Sequence, residues 1–231
     1  MNLNIDNWNK EKIKEFNNYL FSIRKEDKIE WTKSIINTNF SILAINSKTI
    51  NEIVKEILKG NYISFLDNID FKYHEVTIIY DKVLSKIKDI NKFIYYVEKI
   101  SLIIDNWATV DSIDFKIAKK NKEFFFNKVN EYINSNHTFV KRIGIRILFQ
   151  FLNDEDIKEV IELINKINID DYYVSMVIAW LLCEATIKCD DFVNKYFNLV
   201  KIDNDTKKRY IRKCLDSFRI SDDDKNIIRR L

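Results

Sequence analysis

The chain has 231 residues, enough for one large domain or a run of repeats, and 46% of them are apolar, so a sizeable core can be buried. It contains no proline and only two glycines, Gly60 and Gly144, whereas sheet proteins need both residue types at their many turns. This composition excludes most sheet architectures and predicts an all-α fold. The formal net charge of +3 is too small to indicate nucleic-acid binding by itself.

Apolar residues recur every three or four positions, the pattern of amphipathic helices. The first such segments run from Ile13 to Phe21, Ile50 to Leu58, Val76 to Ile87 and Ile94 to Ile104. Short polar breaks separate the later segments, and either residue of the break at 153–154 can cap the helix that follows. No Gly/Ser linker interrupts the pattern, so we predict about a dozen helices in a single domain over residues 1–231.

Four aromatic residues mark a repeat. Tyr73, Trp107, Phe139 and Tyr173 each stand near the start of an apolar helix, and their separations are 34, 32 and 34 residues. A period in the thirties with two helices per unit is typical of HEAT-like repeats, because one helical hairpin cannot bury its apolar face alone. We therefore predict a curved α-α superhelix, or solenoid, in which the second helix of each unit lines the concave side.

The repeat also predicts which residues share that inner face, since side chains four positions apart on a helix point the same way. The pairs are Trp107 with Asp111, Arg142 with Arg146, and Met176 with Trp180. An acid, two bases and two indoles on consecutive inner helices form an unusual lining for a purely structural surface. The structural alternative is that both tryptophans belong to the core and that Asp111 pairs with Arg142.

The sequence lacks the motifs of the common catalytic and nucleotide-binding sites. It has no phosphate-binding glycine loop and no H-E-x-x-H, and His74 and His137 have no neighbouring cysteine, so we expect neither a metal nor a cofactor. The three cysteines show no C-x-x-C spacing, which indicates reduced thiols in a cytoplasmic protein. The first residues form no apolar signal segment, and no apolar run approaches the ~20 residues of a membrane span.

Positive charge is concentrated towards the end of the sequence. From Lys201 onward there are ten basic and six acidic residues, which is a net charge of +4 for this stretch. Lys208 and Arg212 lie four positions apart within this cluster, so they share one face of a helix. This face either contacts phosphates or is simply solvated.

The inner-face residues suit one kind of chemistry. A carboxylate such as Asp111 between two indoles can stabilise a developing cation and orient a water molecule. Each indole can add about 0.5–2 kcal/mol of cation–π attraction. The two arginines could grip phosphates bidentately. Loss of a positively charged base from deoxyribose passes through an oxocarbenium-like state, which these groups would stabilise.

Four sequence blocks resemble a known family in the same order. They are D-N-W-A-T-V-D-S (105–112), H-T-F-V-K-R-I-G-I (137–145), D-Y-Y-V-S-M-V-I-A-W (171–180) and D-S-F-R-I-S-D-D-D-K (216–225). Together they resemble the bacterial DNA alkylation repair enzymes, the HEAT-like alkylpurine DNA glycosylases of the AlkD type. The resemblance covers roughly residues 100 to 231, and the preceding hundred residues fit more loosely.

The resemblance implies excision of cationic N3- or N7-alkylated purines from double-stranded DNA by an enzyme that grips the damaged nucleotide's backbone instead of flipping the base into a pocket. We expect the protein to be a monomer. It places the family's catalytic Asp on Asp111, its two tryptophans on Trp107 and Trp180, and its phosphate-holding arginine on Arg142. Arg146, Lys208 and Arg212 are further candidate DNA-binding residues.

Some positions depart from the family's pattern. Met176 and Cys183 stand where cations are expected near the second tryptophan. In an early inner helix, where the family carries a Thr-Pro followed by basic residues, this chain has Asn46 to Ile50 instead. Fewer phosphate contacts weaken DNA binding. The alternative function is therefore a non-catalytic HEAT-like scaffold that binds DNA or a protein partner.

Overall fold

The computed structural model describes residues 1–231 and is all-helical, which confirms the predicted all-α fold. It has no β-strand, and one isolated parallel bridge joins Ser41 and Tyr73. Four short 3-10 helices accompany fourteen α-helices. The helices are α1 Lys10–Ser22, α2 Ile29–Ile35, α3 Ser47–Ile57, α4 Tyr62–Asn68, α5 His74–Leu84, α6 Ile90–Ser101, α7 Trp107–Ser112, α8 Lys122–Ile133, α9 Thr138–Leu148, α10 Ile157–Ile164, α11 Tyr172–Lys188, α12 Phe192–Lys195, α13 Asn204–Asp216 and α14 Asp222–Ile228.

The chain divides into two compact units, Met1–Asp114 and Phe115–Leu231. In the first unit, α5 packs between α3 and α7. An aromatic cluster of Trp8, Phe16 and Phe65 is completely buried, and its rings meet edge to face. Such ring pairs each add about 0.5–1.5 kcal/mol to the stability that their burial already provides. The prediction of a single domain stays a prediction.

In the second unit, α11 packs between α9 and α13, and α8 lies against α9. The central helix α11 is apolar on nearly all sides, and Val174, Val177, Ile178 and Leu181 are fully buried. A helix that is apolar all round belongs in the interior of its unit. All three cysteines are free and buried.

The four aromatic residues that mark the predicted repeat lie at or next to the first residue of a helix. Tyr73 precedes α5, Trp107 is the first residue of α7, and Phe139 and Tyr173 are the second residues of α9 and α11. Buried hydrogen bonds repeat at a similar interval within the units, as in the 32-residue separation between the hydroxyl groups of Thr77 and Thr109. Helices α5 and α7 of the first unit therefore pack side by side, as do α11 and α13 of the second.

No helix combines the length and the apolar character that crossing a membrane requires.

Candidate active site

Helix α7 is short, and its position is fixed by polar residues at its start. The Asn106 side chain caps the helix by accepting a hydrogen bond from the Thr109 amide at 3.0 Å. Such a cap is worth about 1 kcal/mol. Thr109 and Val110 are buried on the side of α7 that faces the interior of the first unit. Trp107 and Asp111, one turn apart on the other side of the helix, are half-buried.

Asp105 ties this helix to the segment that follows α2. Its carboxylate accepts hydrogen bonds from the Thr38 hydroxyl at 2.7 Å and from the Asn39 amide at 2.6 Å. The indole Nε1 of Trp107 donates a longer bond, 3.4 Å, to the carbonyl oxygen of Ile35. The orientation of Trp107 is therefore set by α2 as well as by its own helix.

Trp107 and Asp111 line one open cleft of about 540 Å³ within the first unit. Trp31 of α2, 67% exposed, lines the same cleft, as does Lys82 of α5. Lys28 lines it as well, so the cleft combines two indoles, the Asp111 carboxylate and two ammonium groups. An open site of this composition can hold a flat or sugar-like group against the indoles and place a negative charge beside it.

His74 and Glu75 line the wall of this cleft and are buried. Burial lowers the pKa of His74 to about 4, against the opposing attraction of the Asp105 carboxylate, so the imidazole is neutral at pH 7. Burial also raises the pKa of Glu75, while backbone amides of Leu43 and its neighbours oppose the shift. The Leu43 amide donates to both Glu75 oxygens at 3.1 and 3.0 Å.

Asp81 lies beneath the end of α7. Its side chain is completely buried, and burial raises its pKa well above the ordinary value, against a hydrogen bond from Ser112. The Ser112 hydroxyl lies 3.0 Å from the Asp81 carboxyl and 2.9 Å from the Thr109 carbonyl oxygen. Asp81 and Ser112 thereby connect the residue next to Asp111 to the core of the unit.

In the second unit, the predicted inner-face residues Arg146 and Trp180 are in contact. The Arg146 guanidinium lies 4.6 Å from the ring centres of both Phe149 and Trp180. Arg142 is only 5% exposed, and its Nη1 donates to the Tyr173 carbonyl oxygen at 2.9 Å. Helices α9 and α11 therefore bring Arg146 and Trp180 together, whereas Arg142 is held inside the unit.

The basic residues of α13 differ in their surroundings. The Lys208 and Arg212 side chains are 78% and 87% exposed, and their ion pairs with Asp205 and Asp216 are long, at 3.7 and 3.9 Å. Exposed pairs of this kind hold their cations weakly, so both remain available to phosphates. Arg209 instead donates to the Ser175 hydroxyl at 2.9 Å.

The structure therefore places Trp107 and Asp111 in the first unit, whereas Trp180, Arg142, Arg146, Lys208 and Arg212 belong to the second. Sequence reasoning missed Trp31, Glu75 and Lys82, and it considered His74 only as a possible metal ligand. Of these residues, only Trp31 could have been recognised from the sequence, because it is an indole on a short polar helix. No group of three or more His, Cys, Asp or Glu side chains is placed to hold a metal ion.

A comparison with protein families matches residues 16–213 to the DNA alkylation repair enzyme model. A comparison with curated proteins gives no match. The family match spans most of both units and includes the cleft residues described above, from Trp31 to Asp111. The chain therefore belongs to the DNA alkylation repair enzyme family.

Proposed function

We propose that this protein is a DNA glycosylase that removes cationic N3- and N7-alkylated purines from double-stranded DNA. One observation carries the proposal: the Asp111 side chain lines an open cleft beside Trp107. The chain belongs to the DNA alkylation repair enzyme family, which gives this carboxylate a substrate. A carboxylate beside an indole suits a reaction whose sugar becomes positively charged.

In the proposed reaction, the bond between the sugar C1′ and the purine nitrogen breaks, and its electron pair neutralises the cationic base. The Asp111 carboxylate stabilises the oxocarbenium-like sugar and orients a water molecule, whose oxygen then bonds to C1′. The water's proton leaves to the carboxylate or to solvent. Trp107 packs against the deoxyribose and excludes water from its other side.

The second unit has a DNA-binding role in this proposal. Lys208 and Arg212 contact phosphates, which their exposure supports. Trp180 and Arg146 form a joint surface for the nucleotide backbone, supported by their 4.6 Å contact. The proposed role of Arg142 is to hold this surface in place through its bond to the Tyr173 carbonyl oxygen.

HEAT-like repeats are part of the same proposal. Support comes from the side-by-side packing of α3, α5 and α7 in one unit and of α9, α11 and α13 in the other. Hydrogen bonds one repeat apart add to it, for example the 2.7 Å contact between the hydroxyl groups of Ser175 and Thr206.

The test is release of 7-methylguanine and 3-methyladenine from methylated duplex DNA. We expect the wild type to release both bases, and Asp111→Asn to slow release roughly 100- to 1,000-fold while DNA affinity changes little. Asp70→Asn is the matched control, because Asp70 is an exposed carboxylate of the same unit that does not line the cleft. No release by the wild type would refute the glycosylase and favour a non-catalytic scaffold.

A further inference from the structure

A second groove adjoins the candidate cleft in the first unit. It has a volume of about 360 Å³ and lies between the C-terminal parts of α3 and α5 and the segment that ends α7. Lys82 and Ser112 line both depressions, so the groove continues directly from the cleft that contains Asp111. We call it the lysine groove, after its lining residues Lys55, Lys82 and Lys86.

The lysine groove has a net positive charge. Its lining carries three ammonium groups and one carboxylate, that of Asp114. None of the three lysines has a carboxylate within ion-pair distance, whereas Lys59, one turn from Lys55, pairs with Glu56. Lys55 and Lys86 are exposed, and Lys82 is half-buried at the junction with the cleft. Concave surfaces with charges of one sign concentrate the field and attract polyanions.

We propose that the lysine groove binds DNA phosphates next to the nucleotide that lies against Trp107 and Asp111. This inference rests on the proposed function, since it takes that nucleotide as its starting point. Lys82 would contact the first phosphate outside the cleft, and Lys86 and Lys55 would hold those that follow. Lysine ammonium groups bind phosphates as point charges without reading sequence, so the groove sets the position of the strand and not the choice of base.

The test measures binding of an unmodified fluorescent duplex by anisotropy over a range of salt concentrations. The variant carries Lys55→Gln, Lys82→Gln and Lys86→Gln. Each lost phosphate contact lowers the salt dependence by about 0.9, so the slope of log affinity against log salt should become shallower by about 3. The same relation gives a loss of affinity on the order of 100-fold at about 0.15 M salt.

A matched control removes the same number of charges elsewhere in the unit. Lys10, Lys14 and Lys72 line a different groove of about 420 Å³, which shares no residue with the cleft or the lysine groove. Their replacement by Gln should leave the salt slope close to that of the wild type. Circular dichroism of both variants checks that they are folded.

The two proposals fail in different ways. If the wild type binds DNA and the lysine-groove variant keeps its affinity and salt slope, the proposal that the lysine groove binds phosphates is wrong. That result says nothing against the glycosylase, which is tested by base release from the wild type. An equal loss in the control variant also overturns the groove proposal, because the effect would then reflect net charge alone. If the wild type binds duplex DNA but releases no methylated base, the glycosylase fails, and a shallower slope for the variant still supports the groove.

Discussion

Replacing His74 tests whether the wall of the cleft is as dry as the structure indicates. His74 is 4% exposed, and its Nδ1 has no hydrogen-bond partner. Burial lowers its pKa from 6.5 to about 4. Because one pKa unit corresponds to about 1.4 kcal/mol, the charged imidazole is about 3 kcal/mol less favourable in the folded chain than in the unfolded one.

The sign of the pH effect follows from this lowered pKa. Between pH 6.5 and about 4 the unfolded chain binds the proton and the folded chain does not, so acid favours unfolding. His74 should therefore cost the wild type about 2 kcal/mol of unfolding free energy between pH 7 and pH 5. Glu75 and Asp81, whose pKa values are raised by burial, act in the opposite direction and are common to wild type and variant.

The assay is urea unfolding of the wild type and His74→Gln at both pH values. The stability of the wild type relative to the variant should fall by about 2 kcal/mol from pH 7 to pH 5. His137→Gln is the control, because His137 is exposed and its replacement should leave the pH dependence of the wild type unchanged. If the His74→Gln and wild-type curves stay parallel, the imidazole is hydrated and the cleft wall is open to water.

Two further predictions concern contacts between segments of the first unit. In Gly60→Ala, the new Cβ would lie 2.5 Å from the Ile5 amide nitrogen and 2.6 Å from its carbonyl oxygen, so the backbone must shift. We expect a loss of about 1–3 kcal/mol in urea unfolding, and no loss would mean that the two segments are not in contact. In Asp105→Asn, one of the two donors on Thr38 and Asn39 loses its acceptor, which should cost about 1–3 kcal/mol and slow base release without abolishing it. Base release at the wild-type rate would show that Asp105 does not position Trp107.

The helical fold and one part of the candidate site could be predicted from local sequence. The absence of proline and the scarcity of glycine favour helices at every position, so the fold class needs no tertiary information. Trp107 and Asp111 lie four residues apart on one helix, and helical periodicity alone puts them on one side. That side does line a cleft.

Helical periodicity does not predict how far a side chain is buried or which residues distant in sequence it contacts. Periodicity gives Arg142 a direction, but not the bond to Tyr173 that holds it inside the second unit. Glu75 has the sequence context of a solvated first-turn charge. It is buried because the loop before α3 turns its amides towards the Glu75 carboxylate, with Ala44 of that loop in the left-handed region at a φ of 56°. Contacts across 32 residues depend on the packing of whole helices.

The polar groups of α5 are arranged at a cost to stability, and their position indicates a reason. The Nδ1 of His74 and one carboxyl oxygen of Asp81 are buried without a hydrogen-bond partner, and each such group costs about 1–3 kcal/mol. His74 lines the cleft, and Asp81 bonds to Ser112, the residue after Asp111. A helix selected for stability alone would carry apolar residues at both positions. Asp81 holds the end of α7 through Ser112 before the reaction begins, so in the proposed glycosylase the cost of burying it would be offset by a lower barrier to base release.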